Sequence, residues 1–166
     1  MKKSTRVALV TVGGAVVVAE AVILAGSLNG WFRGESTRPQ VEISSEYVCG
    51  TEGAEEFINL TPEEYEQLVA NEKSFVIFVD QGGCVTADGL RGRIIEYAKL
   101  KGIKINRIMF SDMKDTSLHE KVRYYPSIAV VSGGDVVAYL RSDSDADAPI
   151  YNDYNALEEW LNSYLK

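Results

Sequence analysis

Cys84 sits between a run that reads as a buried strand and a pattern that reads as a helix. Residues 75–79, Phe-Val-Ile-Phe-Val, are continuously apolar, β-branched or aromatic, which predicts a strand covered on both faces. Gly82 and Gly83 break that run, and apolar residues then recur at Leu90, Ile94, Ile95, Ala98 and Leu100, close to helical spacing. A thiol in the first turn of such a helix faces unpaired N–H groups and the positive end of the helix dipole. Both favour the thiolate, the nucleophilic form of cysteine. The chemistry on offer is attack on a disulfide to give a mixed disulfide.

Few other residues compete for a chemical role. The second cysteine, Cys49, leaves the chain with too few for a disulfide scaffold, and no ligand spacing suggests zinc. His119 is the only histidine, which excludes a multi-histidine metal site, and it fits a surface helix better than a catalytic base. No cofactor is expected. Asp143, Asp145 and Asp147 have an alternating spacing that raises calcium, but Ala148 and Tyr154 stand where an EF-hand loop needs Gly and Glu, so a solvated acidic loop fits better. Asp80 and Asp88 are negative neighbours of Cys84, and they oppose the helix dipole. Tyr124, Tyr125, Tyr151 and Tyr154 fit either a peptide-contacting surface or packing at helix ends.

The elements that must hold Cys84 belong to a chain of 166 residues, enough for one domain and a short added segment. A formal charge of −7 argues against nucleic acid and anionic membrane surfaces as partners. Lys2, Lys3 and Arg6 precede an apolar run over 7–28, and Trp31, Phe32 and Arg33 follow it. That run approaches the ~20 residues needed to cross a bilayer and predicts a single-pass anchor within 1–33, with the domain outside. Glu20 interrupts it and must be protonated or face another helix. A cleaved signal peptide is the rival reading, but the run exceeds the usual h-region, and Ser27 stands where a lipidated cysteine would belong. Residues 34–56 are polar and read as a tether, in which Val41, Ile43, Tyr47 and Val48 could add a short strand or pack onto the domain.

The folded unit is expected over 57–166. A short strand at 57–60 precedes a helix opened by Thr61, Pro62 and Glu64, the pattern of a capping box with proline at the first helical position. The strand at 75–80 and a helix over 85–101, closed by Gly102, come next. A strand over 103–110, a short helix over 116–123, strands at 127–131 and 136–140 around Gly133-Gly134-Asp135, and a helix over 153–165 complete the order. This β-α-β-α-β-α-β-β-α succession predicts an α/β fold with parallel early strands and an antiparallel hairpin edge.

From 57 to 166 the chain resembles the thioredoxin family. The likeness rests on element order, on Cys84 at the strand-to-helix junction, and on Tyr125-Pro126-Ser127 opening the fourth strand. It implies a three-layer fold with a central mixed sheet, preceded here by the transmembrane helix. It also implies a cis Pro126 facing the thiol, Cys84 as nucleophile, and Tyr125, Pro126 and Ser127 as the platform for a protein or peptide thiol–disulfide substrate. The sequence departs from that family at Ala87, which stands for the resolving cysteine, at Phe78, which stands for the buried acid, and at Gly92, which stands for the helix-kinking proline. A two-cysteine shuttle cannot run inside this motif. Glutathione, a protein thiol or Cys49 must resolve the adduct, or else Cys84 traps or senses, or the groove only binds protein.

Overall fold

In the computed structural model, residues 38–50 and 57–166 are described, and they fall in one compact unit, Arg38–Lys166. The expected anchor and the Glu20 interruption lie outside them. Among the described residues no helix is long and apolar enough to cross a membrane.

β1 (Ile58–Asn59), β2 (Phe75–Asp80), β3 (Asn106–Met109), β4 (Ser127–Ser132) and β5 (Asp135–Tyr139) form one sheet in the order β1-β3-β2-β4-β5. The first three strands are parallel, and β4 runs antiparallel to both β2 and β5. Central β2 is buried along its whole length. Its residues alternate between two cores: Phe75, Ile77 and Val79 on one face, Val76 and Phe78 on the other. Each fully buried side chain of this kind contributes roughly 1.5–3 kcal/mol relative to exposure, so β2 is the spine of the fold.

α1 (Pro62–Ala70) packs Tyr65 into the first core, together with Met113 of α3 (Phe110–Met113) and Leu118 of α4 (Leu118–Lys121). Its predicted capping box is formed: Glu64 N–H donates to Thr61 Oγ1, and Thr61 N–H to the Glu64 carboxylate. The other face carries α2 (Val85–Lys101), α5 (Ala148–Asn152) and α6 (Tyr154–Asn162), which bury Leu90, Ile94, Tyr151, Leu157 and Leu161. Gly134, at φ +84°, turns the β4–β5 hairpin where an added Cβ would lie 2.6 Å from Val69 O, so only glycine fits.

Several boundaries differ from expectation for tertiary reasons. Residues 38–50 are not a free tether: Val41 bridges Leu165, Val48 bridges Ile103, and Val41 and Tyr47 are 2% and 4% exposed. This strap also explains why β3 starts only at Asn106, because Ile103 and Lys104 bond to the strap instead. The closing helix stops at Asn162, and Leu165 pairs with Val41. α3 and α5 were not expected; each is a single short turn, of four and five residues, set by its packing rather than by a periodic run.

Candidate functional site

Cys84 is the N-cap residue of α2, with extended backbone and its N–H donating to Gln81 O at 3.3 Å. The strand ends at Asp80, three residues lead to Cys84, and α2 begins at Val85, so Cys84 stands at the N-terminal end of a 17-residue helix without a side-chain hydrogen bond to its first N–H groups. The side chain is half-buried against the α2 face of the sheet. It opens into a cavity of about 330 Å³ lined also by Gln81, Thr86, Tyr125, Pro126 and Tyr151. The Tyr125–Pro126 peptide is cis, as the resemblance implied.

Of the expected platform, Tyr125 and Pro126 meet Cys84 across this cavity, and Ser127 does not. Ser127 is fully buried, and its hydroxyl donates to Leu140 O at 2.7 Å, which ties β4 to the end of β5 rather than facing a substrate. Tyr125 stacks on Phe110 with ring centroids 3.5 Å apart, and the Lys114 ammonium lies 4.5 Å from the Phe110 centroid. Beside the thiol Val85 is 86% exposed, an apolar side chain left open at the rim.

Cys49 is not brought to Cys84. Its N–H donates to Gly102 O and its sulfur approaches Gly50 O at 3.3 Å and Gly102 O at 3.5 Å. Gly102 caps the far end of α2, and a helix of that length spans about 25 Å. Both thiols are free. The candidate intramolecular resolving thiol therefore sits at the opposite end of the helix from the residue it was to serve.

The carboxylates around Cys84 are more thoroughly paired than the sequence suggested. Asp80 is fully buried on the α2 side of β2, and Arg91 grips it through Nε and Nη2 at 2.9–3.2 Å. Arg107 reaches it from β3 at 3.5 Å and bonds Asn59 of β1 at 2.7 Å. Arg91 also holds Asp88 at 2.7 Å. These carboxylates keep the Arg91 proton more firmly than usual, with the Asp80 bond the largest cause. The sequence carried one sign of this, the Asp88–Arg91 spacing of three on a helix. Arg107 comes from another strand and left no local sign. Phe78, where the resemblance lacked an acid, is fully buried and stacks on Phe57.

The acidic loop forms the outer rim, since Ser142 and Ala148 line the cavity. Asp147 accepts from the Arg141 N–H at 2.8 Å, and the Arg141 guanidinium holds Asp143 at 3.2 Å and its carboxyl below the usual range. Arg141 also lies over the Tyr124 ring at 5.1 Å. Among the described residues no cluster of His, Cys, Asp or Glu could hold a metal ion. The four tyrosines diverge: Tyr125 and Tyr151 line the cavity, Tyr124 packs under Arg141, and Tyr154 starts α6.

No protein-family model matches the chain, and no curated relative matches it. Solved structures do. A mutant thioredoxin from Halobacterium salinarum aligns at TM-score 0.50 and 15% identity, over 68% of this chain and 94% of its own. A protein described as having a thioredoxin fold aligns at 0.50 and 13%, over 66% of this chain and 95% of its own. At such identities the likeness is one of architecture, and over that two thirds of the chain the architecture is the thioredoxin fold.

Proposed function

We propose that this protein performs thiol–disulfide chemistry on polypeptides, with Cys84 as its sole nucleophile. The observation that carries the reading is the placement of a half-buried thiol at the start of α2, across one cavity from Tyr125 and cis Pro126. In the step proposed, the Cys84 thiolate attacks one sulfur of a substrate disulfide. A new S–S bond forms to Cys84, the substrate S–S bond breaks, and the leaving sulfur departs as a thiolate and takes a proton from solvent. A second thiolate, from glutathione or a protein, then attacks the substrate sulfur of the adduct: an S–S bond forms between those two, the S–S bond to Cys84 breaks, and Cys84 returns as the leaving thiolate. Ala87, fully buried one turn into α2, provides no internal thiol for that return, so the adduct persists until an outside thiol arrives. We further propose that residues 7–28 hold the domain at a membrane on its extracytoplasmic side, where exported proteins acquire disulfides.

The buried Ala87 also favours a second reading, in which the groove holds a polypeptide without covalent turnover. One experiment separates the two. The protein is incubated with a short peptide whose single cysteine is blocked as a pyridyl disulfide, and adducts are located by mass spectrometry. Capture at Cys84, lost in Cys84→Ser, supports the first reading. No adduct, with Cys84→Ser still binding the peptide, supports the second.

A further inference from the structure

We infer that Tyr151 and Arg93 form a bracket that sets the separation of the two walls of the Cys84 cavity. The proposal rests on the groove reading above and adds to it the residues that fix the groove's geometry.

The two walls come from different parts of the chain: α2 carries Cys84, and the loop before β4 carries Tyr125 and Pro126. One residue is bonded to both. The Tyr151 hydroxyl donates to Pro126 O at 2.9 Å, and Arg93 Nη1, on α2, donates to Tyr151 O at 2.9 Å. Tyr151 is 5% exposed and lines the cavity itself; its bond to Pro126 is buried, and the Arg93 bond is partly so. Burial holds the phenol in its protonated, donating form well beyond neutral pH, with Asp147 and Asp143 adding to it. Arg93 passes beside Gly89, one turn back on the same face of α2, in making the contact. A Cβ on Gly89 would lie 3.2 Å from Arg93 Nη1, so a side chain there would press the guanidinium by a few tenths of an ångström.

Each bond is ordinary in strength, but together they connect the thiol's helix to the proline loop through a single side chain and its own carbonyl. Tyr151 and Arg93 are positioning residues: neither is assigned a bond to the substrate sulfur. A polypeptide must fit between the walls, whereas a small alkylating reagent needs only the sulfur, and the bracket should matter to the first and not to the second.

The test compares Tyr151→Phe and Arg93→Ala with the parent full-length protein. Hydrogen exchange is followed in residues 123–128 and, as a reference, in 75–80. The same proteins are then reacted with the pyridyl-disulfide peptide and, separately, with iodoacetamide. The bracket predicts faster exchange in 123–128 with 75–80 unchanged, and peptide capture slowed about fivefold, the effect of one ordinary hydrogen bond, with iodoacetamide unaffected. Gly89→Ala, which crowds Arg93 and leaves both bonding groups in place, should give the same pattern more weakly. Unchanged exchange in 123–128 overturns the proposal, as does equal slowing toward peptide and iodoacetamide. If the parent itself forms no peptide adduct, the thiol reading fails, and the exchange comparison alone then decides the bracket.

Discussion

The two cysteines stand at opposite ends of α2, both half-buried, and differ in everything else around them. At the N-terminal end Cys84 faces a cavity, open helix N–H groups, an aromatic wall and a proline. At the C-terminal end Cys49 lies against the carbonyls of Gly50 and Gly102, where an S–H has acceptors and the helix dipole is negative. Burial alone would rank the two thiols alike. The polarity of the groups they face separates them: the chemistry proposed above falls at one end of the helix, and at the other Cys49 belongs to the strap.

The strongest way to break that contrast is at the Cys84 end. Asp80→Ala leaves Arg91 and Arg107 facing an emptied, buried position. Removing one partner of a buried pair costs about 3–5 kcal/mol; with each arginine side chain 29% exposed, solvent relieves part of this and about 2–3 kcal/mol is expected. Urea unfolding checks it, and a loss below the error of the midpoint would mean that Asp80 does not anchor the start of α2.

At the other end the corresponding change is Gly102→Ala. Its φ of +64° is unfavourable for alanine by about 1–2 kcal/mol, and the new Cβ would lie 3.0 Å from Gly50 Cα. The strap must yield there, so Cys49 should alkylate faster in this variant while Cys84 keeps its rate. Equal acceleration at both sites would show that the two ends are not independent. In the unaltered protein, time-resolved alkylation read by mass spectrometry should label Cys84 before Cys49, and the reverse order would remove the contrast itself.

The smallest effect concerns the strap and acid. Glu46, in the turn at 45–47, pairs with Lys73 at 2.7 Å, and that bond holds its carboxyl below the ordinary 4.5. A carboxyl lowered on folding stabilises above its unfolded pKa, and the contribution is lost as pH falls through the folded value. Exchange protection near Tyr47 should therefore weaken slightly below about pH 4.5, and Glu46→Gln should abolish that pH dependence. Both groups are exposed at the surface, so the change should be modest.

What could be read from the sequence tracks what is decided locally. β2, α1 with its capping box, α2 with its glycine stop and the β4–β5 hairpin are each set by a periodic run or by punctuating residues, and each was found within a residue or two. Of the cavity's main pair, Cys84 followed from such a junction, and Pro126 from the resemblance to the thioredoxin family. The strap did not declare itself, because the burial of Val41 and Tyr47 depends on Leu165 and Ile103, which are distant in the chain. Asp80 was legible as a negative neighbour of the thiol but not as a neutralised one, since its partners come from α2 and β3. Tyr151 fitted a peptide-contacting surface and helix-end packing alike, because its partner, Pro126 O, belongs to a loop 25 residues earlier.

The pairing of Val41 with Leu165 has one more implication. It brings Arg38, where the compact unit begins, beside Ser163, and Lys166 N–H bonds back to Val41 O. Tyr97, late in α2, bonds Asn162 just before this junction. The chain thus enters and leaves this unit at one pole, the pole remote from the sulfur of Cys84. A bulky group joined at Lys166 would load that pole and leave the mouth of the groove uncovered.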